Sequence, residues 1–285
     1  MLDITRAYAL TFLIAQNDMG IGRILRERGE FARIESELII DYLKVESSGA
    51  YLDIGANIGT IALPVAAACP RIRVLAIEAQ RVVAGILAAN ALNNHLYNVD
   101  VIHAAAGATT SLMAFPQGRL DDGQLNFGLV GAHVDVVRSE NVRVCTLDEI
   151  APADTRFVKI DVEGFESEVL KGSGRLIRDI KPAWLLEADR KKMEHSRATM
   201  RTMSDAGYRL FWFYAPLESP ASTKLPRVAQ NSDGDMNFLA LPPHAPNLWN
   251  LQELTDLEEA PPVRLSDFPY LDRVKFKLQP RGENA

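Results

Sequence analysis

The sequence has little cysteine, no long apolar run, no internal repeat and no excess of positive charge. Its two cysteines, Cys69 and Cys145, are too few and too far apart in sequence to suggest a disulfide framework or a zinc site. A reducing cytoplasm is the expected setting. No stretch approaches the roughly 20 apolar residues that span a bilayer. The apolar run Tyr8 to Ala15 follows Asp3 and lacks a cluster of positive charges and a small-residue cleavage pattern. It therefore reads as one buried helix face and not as a secretory signal. With 31 Lys and Arg against 37 Asp and Glu, a formal net charge of −6, the chain has no general attraction to nucleic acid or anionic lipid.

What is present is an ordinary globular composition, 47% hydrophobic, 24% charged and 7% aromatic, which excludes disorder, collagen-like repeats and coiled coil. At 285 residues the chain lies near the upper limit for one hydrophobic core. One large domain carrying insertions or an extension is expected. Three zones emerge from periodicity and from Gly and Pro. Residues 1–48 carry Phe31, Ile34, Leu38 and Tyr42 at spacings of three and four, an amphipathic helix in an N-terminal helical extension or lid. The last zone holds ten of the 15 prolines from Pro216 onward, with Met236 to Leu241 as a final antiparallel strand and residues 245–285 as an irregular surface tail.

The middle zone alternates short apolar runs with longer amphipathic ones. Tyr51–Ile54, Arg73–Ile77, Val99–Ala104, Phe157–Ile160, Ala183–Leu186 and Tyr208–Phe213 read as strands; Gly59–Cys69, Val82–Leu92 and Glu163–Ile177 read as helices. Continuous apolar strands separated by helices imply a parallel sheet covered on both faces, and right-handed crossovers make it an α/β doubly wound fold. The domain spans 49–244. Pro64 inside the first crossover helix predicts a kink unless the first turn absorbs it. Residues 107–142 form a long insertion with several glycines, the usual form of a functional loop.

The stretch Tyr51-Leu-Asp-Ile-Gly-Ala-Asn-Ile-Gly-Thr60 carries the most chemistry, a strand running through Gly55 and Gly59 into a helix. In a doubly wound sheet ligands bind outside the carboxyl ends of strands, where this turn lies. Gly55 lets backbone approach a ligand and Gly59 lets the helix pack on the strand. Glu78, ending the next strand 19 positions after Gly59, can accept hydrogen bonds from both hydroxyls of a ribose. A dinucleotide-binding turn would have glycine where Asn57 stands, to admit a pyrophosphate, and Asp53 adds negative charge there. A ligand bearing an ammonium and a sulfonium, such as S-adenosylmethionine, suits this acidic turn better.

With these residues the sequence resembles the FkbM-type group of class I S-adenosylmethionine-dependent methyltransferases. The resemblance covers about residues 20–215. It rests on Asp53-Ile-Gly-Ala-Asn-Ile-Gly59, Glu78, Leu147-Asp148, Phe157-Val-Lys-Ile-Asp-Val-Glu-Gly-Phe-Glu166 and Pro182-Ala-Trp-Leu-Leu-Glu187. It implies a Rossmann-like seven-stranded sheet with the last strand antiparallel, and O-methylation of a hydroxyl on a small molecule, secondary metabolite or glycan. By the same resemblance Asp53, Gly55, Asn57 and Gly59 hold the methionine part and Glu78 the ribose. Asp161 sits near the methyl group, and Asn126-Phe-Gly128 covers cofactor or substrate.

An aliphatic hydroxyl must lose its proton during attack, so a carboxylate or histidine in hydrogen-bond reach is needed. Asp161, Glu163 and Glu187 fall at or just beyond strand ends and are the candidate catalytic residues, with His133 and His195 as alternative bases. The three acids could also chelate a divalent ion, but no metal is assigned. Bland roles compete at several positions. Lys159 can pair with an acid at the sheet edge, Phe211, Trp212 and Phe213 can pack a strand, and Arg23, Arg26 and Arg28 can be solvated surface. Two other functions share the pattern, a nicotinamide-dependent oxidoreductase and a non-catalytic nucleoside-binding module. Asn57 and Asp53 argue against the first, and the intact loop and acids against the second.

Overall fold

The structure is a computed structural model that describes residues 1–124, 126–129, 138–188, 193–220 and 234–274. The chain opens on a β-hairpin, β1 (Leu2–Ala7) and β2 (Leu10–Ala15), where a helix face was expected. Tyr8 and Ala9 make the connecting turn with φ of +55° and +61°, the two left-handed residues of the tight hairpin turn that matches strand twist. Neither residue advertises that conformation, because the usual signal is Asn-Gly. The burial of Thr5 and Ala7 on one strand and Phe12 and Ile14 on the other has the period of two that a strand requires.

Two helices follow, α1 (Ile21–Arg28) and α2 (Arg33–Val45). Ile34, Leu38 and Tyr42 on α2 are buried as their spacing predicts, and Phe31 stands just before the helix. The central sheet takes β3 (Gly49–Ile54), β4 (Ile72–Glu78), β5 (Val99–His103), β9 (Thr155–Ile160), β10 (Ala183–Glu187), β11 (Arg209–Pro216) and β12 (Gly234–Leu241). The order is β11-β12-β10-β9-β3-β4-β5, with β12 antiparallel to both neighbours and the other pairs parallel. All six strands read from the sequence are present, and the last strand enters between β10 and β11.

The crossover helices are α3 (Ala62–Ala68), α4 (Arg81–Asn93) and α6 (Glu166–Lys171). Pro64 is the third residue of α3, so its missing N–H belongs to the first turn, where no intrahelical partner exists; no kink is needed. The third helix is shorter than Glu163–Ile177. It stops at Gly172, and a separate π-helical turn covers Leu176–Ile180. Gly172 caps α6 and packs against the insertion, where a Cβ would lie 2.1 Å from the Gly107 carbonyl oxygen.

The described part of the insertion and its flanks form a second sheet, β6 (Ala105–Ala106), β7 (Ser111–Pro116) and β8 (Ser139–Cys145), in the order β6-β8-β7, followed by α5 (Leu147–Ile150). The final helix, α7 (Met193–Asp205), precedes β11. The tail is irregular but not superficial, as far as it is described. Trp249, Leu251, Leu254, Phe268, Tyr270 and Leu271 are buried. Tyr270 stacks on Phe213 at 5.2 Å and Phe268 on Tyr214 at 5.4 Å. Gln252 and Leu254 pair with the open edge of β11, which shields an otherwise unpaired strand. Phe211, Trp212 and Phe213 pack inside the sheet as read. No helix among the described residues is long and apolar enough to cross a membrane.

Candidate functional site

Strand order reverses between β3 and β9, the position where doubly wound sheets leave a crevice at their carboxyl ends. A cavity of about 360 Å³ lies there. Its floor comes from the strand ends: Ile54, Gly55 and Asn57 after β3, Glu78 to Gln80 after β4, and Asp161 to Glu163 after β9. Met19 to Ile21, Arg23 and Phe31 from the N-terminal segment, and Asn126 to Gly128 with Met113 and Phe115 from the insertion, close the opposite side. A Cβ on Gly20 would lie 2.3 Å from the Asn126 side-chain oxygen, so the two covering segments meet there.

Glu78 is 6% exposed and held by backbone. Its Oε2 accepts from Asn57 N–H at 2.9 Å and its Oε1 from Gln80 N–H at 2.8 Å. Burial pushes its carboxyl up to about 7 against those two hydrogen bonds. A carboxylate offers about four lone-pair sites, so two remain for ligand hydroxyls. Asn57 adopts φ +48° and its Oδ1 accepts from Ile58 N–H at 2.8 Å. This lets the loop turn without the glycine of a dinucleotide site.

The two glycines serve packing at least as much as ligand approach. Gly55, at φ +81°, lines the cavity, yet a Cβ there would sit 1.9 Å from the Asp161 carbonyl oxygen; the loops after β3 and β9 touch at this point. Gly59, at φ +93°, leaves room for Leu87 of α4 and Leu63 of α3, as expected, and lies outside the cavity wall.

Asp53, expected to hold the ligand, does not line the cavity either. Alternate residues of a strand face opposite sides, and Asp53 shares its side with Tyr51, which packs edge-on against Phe157 under α2. Asp53 lies 4.0 Å from the Lys159 ammonium, and Lys159 donates to Asp161 Oδ2 at 2.9 Å. Burial alone would strip the Lys159 proton, but Asp161, Asp53 and Glu35 outweigh it and hold the ammonium above its ordinary value. Burial pushes Asp53 up to about 6, opposed by Lys159. Glu35 of α2, with Asn237 donating to it at 3.3 Å, rises to about 8 by burial despite Lys159. Lys159 is therefore the cation of a buried acidic network beneath the site, the structural role read for it.

Asp161, Glu163 and Glu187 all line one end of the cavity, joined by Asp235 of β12, which the sequence reading missed. Burial first, then the neighbouring Asp161, Glu163 and Asp235, drives Glu187 well above the ordinary carboxylate range. Glu163 sits at φ +51° on the tight turn before Gly164. Among the described residues no three His, Cys, Asp or Glu side chains gather as a metal site needs. His195 lies off the cavity on α7, its Nε2 3.5 Å from Glu166, and His133 lies outside the described residues. Of the three arginines, Arg23 is exposed surface, as read, and the other two are half-buried. Arg23 borders the cavity, Arg26 donates to the carbonyls of Ala15 and Asp18, and Arg28 pairs with Glu218.

Also absent from the sequence reading is what holds the hairpin to the domain. Asn90 in the last turn of α4 and Asn94 at its C-cap project their amides onto the edge of β2. Asn90 accepts from Leu13 N–H at 2.6 Å and donates to the Leu13 carbonyl at 3.1 Å; Asn94 treats Thr11 likewise at 2.8 and 2.7 Å. Four helical residues rise about 6 Å and two strand residues about 6.8 Å, so the spacings match. Asn90 also donates to the Ile58 carbonyl at 3.1 Å, tying the hairpin to the β3 loop.

Three comparisons bear on these observations. Solved structures that align with the chain include a methyltransferase FkbM from Methylobacillus flagellatus KT, at 20% identity and a TM-score of 0.45, over 68% of this chain and 44% of that one. A precorrin-6y C5,15-methyltransferase from Geobacter metallireducens GS-15 aligns at 15% identity and 0.46, over 73% and 87%. An O-methyltransferase from Bacillus cereus, solved with SAH, aligns at 12% identity and 0.44, over 73% and 65%. The chain thus spans less than half of the M. flagellatus structure. No curated protein matches by sequence. The model of the methyltransferase FkbM domain matches residues 53–210, more than half of the chain and the whole floor of the cavity up to β10, and this chain belongs to that family.

Proposed function

We propose that the chain binds S-adenosylmethionine and transfers its methyl group to a hydroxyl oxygen of a small molecule or glycan. The observation that carries the reading is Glu78, fixed by Asn57 and Gln80 N–H groups at the rim of an acid-lined cavity with lone pairs left for a ribose. The residues present suit this cofactor in a second respect. Asp161, Glu163 and Asp235 favour a ligand carrying positive charge and oppose the pyrophosphate of a nicotinamide dinucleotide. When bound, the cofactor supplies an electrophilic methyl on a sulfonium.

The chain's part is to hold, orient and deprotonate. The covering segments, Met19 to Ile21 and Asn126 to Gly128, confine the acceptor against the strand ends. Alignment of acceptor and methyl can contribute about 7–11 kcal/mol to lowering the barrier. Asp161, oriented through Oδ2 by Lys159, and Glu163 beside it are the bases proposed to take the hydroxyl proton. Glu187, which keeps its proton far above the ordinary range, is suited to donate a hydrogen bond to the acceptor.

Calorimetric titration of the purified chain with S-adenosylmethionine, S-adenosylhomocysteine and NAD tests the reading. Micromolar binding of the first two with none for NAD is expected. Binding of NAD alone would overturn the reading of the Asp53 to Gly59 loop.

A further inference from the structure

Gln80 stands two residues beyond Glu78, 3% exposed, and lines the cavity. Its Nε2 donates to the Phe127 carbonyl of the covering insertion at 2.7 Å. A carbonyl oxygen only accepts, so this bond fixes which end of the amide is the nitrogen. The other end, Oε1, is buried and has no hydrogen-bond partner among the described residues. Buried carbonyl oxygens are rarely left unpaired, because the lost hydration is not recovered. The neighbouring glutamine shows the contrast. Gln117 accepts from Arg81 N–H at 2.8 Å and donates to the Ala79 carbonyl at 3.3 Å, so both ends of its amide are used by the fold.

We infer that Gln80 Oε1 accepts a hydrogen bond from the bound nucleoside, while Nε2 of the same amide holds the insertion over it. This rests on the nucleoside reading of the cavity and adds a ligand-contacting residue to it. An adenosine has donors in two places, the ribose hydroxyls and the exocyclic amine of the base. Glu78 keeps lone pairs for the hydroxyls. Beyond β5 the cavity is lined by Ala104, Ala105 and Ala106, whose side chains carry no acceptor for the amine of a base. Gln80 therefore makes the pocket selective for a nucleoside with a donor at that point, and one side chain links occupancy of the site to the position of Phe127.

The test compares S-adenosylhomocysteine, S-inosylhomocysteine, which has a carbonyl in place of the amine, and the 2′-deoxy form of S-adenosylhomocysteine. Each is titrated calorimetrically into the full chain, unaltered and as Gln80→Met. In the unaltered chain at least one donor-lacking analogue should bind about tenfold or more weakly, the cost of leaving a buried acceptor unmet. In Gln80→Met that penalty should shrink to about twofold or less, as a carbon chain has no acceptor to strand. Loss of discrimination against the inosine analogue would place Oε1 on the base, and against the deoxy analogue on the ribose. Equal affinity of the unaltered chain for all three ligands overturns the inference without any variant. So does a penalty that persists unchanged in Gln80→Met, which would leave Gln80 with the insertion alone. Failure of S-adenosylhomocysteine itself to bind the unaltered chain would instead overturn the nucleoside reading, and this inference with it.

Discussion

A carboxylate already holding two backbone N–H groups cannot be removed without cost to the loop, so Glu78→Gln is the informative change at the ribose position. The amide keeps one acceptor and loses the charge. Affinity for S-adenosylhomocysteine should fall by about 1.5–3 kcal/mol, roughly 10- to 100-fold in calorimetry, and unchanged affinity would end the ribose assignment. The raised carboxyl adds a pH test. Because Glu78 titrates at about 7, the stronger, ionised acceptor fills in as pH rises, so affinity should increase from pH 6 to 8 in the unaltered chain and stay flat in Glu78→Gln. At the acceptor end, Asp161→Asn or Glu163→Gln should slow turnover about 10²- to 10⁴-fold while leaving cofactor affinity within a few-fold. Full activity in both variants would remove them as bases. Glu78, Asp161 and Glu163 are legible in sequence because each stands at or just beyond a strand end. Asp235 is not, since its place at the same cavity depends on β12 inserting between β10 and β11.

Between elements, docking of the N-terminal hairpin is the least anticipated feature and the easiest to perturb. Asn90→Ala would leave Leu13 N–H and two carbonyls, those of Leu13 and Ile58, without their side-chain partner in a dry contact. A loss of about 3 kcal/mol in urea unfolding is expected, against about 1 kcal/mol for the half-buried Asn94→Ala. The double variant should cost less than the sum, because the first change already loosens β2. Equal small losses for both would mean that the hairpin docks by its apolar face alone. The periodicity that identifies α2 and α4 is visible in sequence because helix and strand faces repeat locally. The hairpin is hidden because its turn uses Tyr8 and Ala9 in a conformation that tertiary contacts impose.

For the molecule as a whole, the buried acidic network predicts how stability varies with pH. Glu35 moves from an ordinary 4.5 to about 8 in the fold, so the folded state binds its proton more tightly than the unfolded chain. That contribution is complete below about 4.5 and is lost as pH rises toward 8. Asp53 acts in the same direction up to about 6. Lys159, held above its ordinary value, keeps its contribution throughout this range. Melting temperature should therefore decline between pH 5 and 8, and Glu35→Gln, which stays neutral at any pH and can still pair with Asn237, should flatten the decline. A decline of the same slope in Glu35→Gln would assign it to other groups.

The strands of the central sheet, their order of appearance and the acids at their ends were determined by the sequence alone, because alternation, apolar runs and glycine turns are properties of neighbouring residues. The family was legible for the same reason, through Asp53 to Gly59 and Phe157 to Glu166. Only the tertiary structure decided which of those acids face the cavity. Asp53 turns away because strand residues alternate and α2 covers its side, while Asp235 and Gln80 turn in because distant segments, β12 and the Phe127 turn, meet them there. Likewise the proline-rich tail carries no periodicity, yet Gln252 and Leu254 pair with the β11 edge and its aromatics stack on Phe213 and Tyr214. Contacts between residues far apart in the chain leave no local pattern, and they decide burial and with it the raised carboxyls of Glu78 and Glu187.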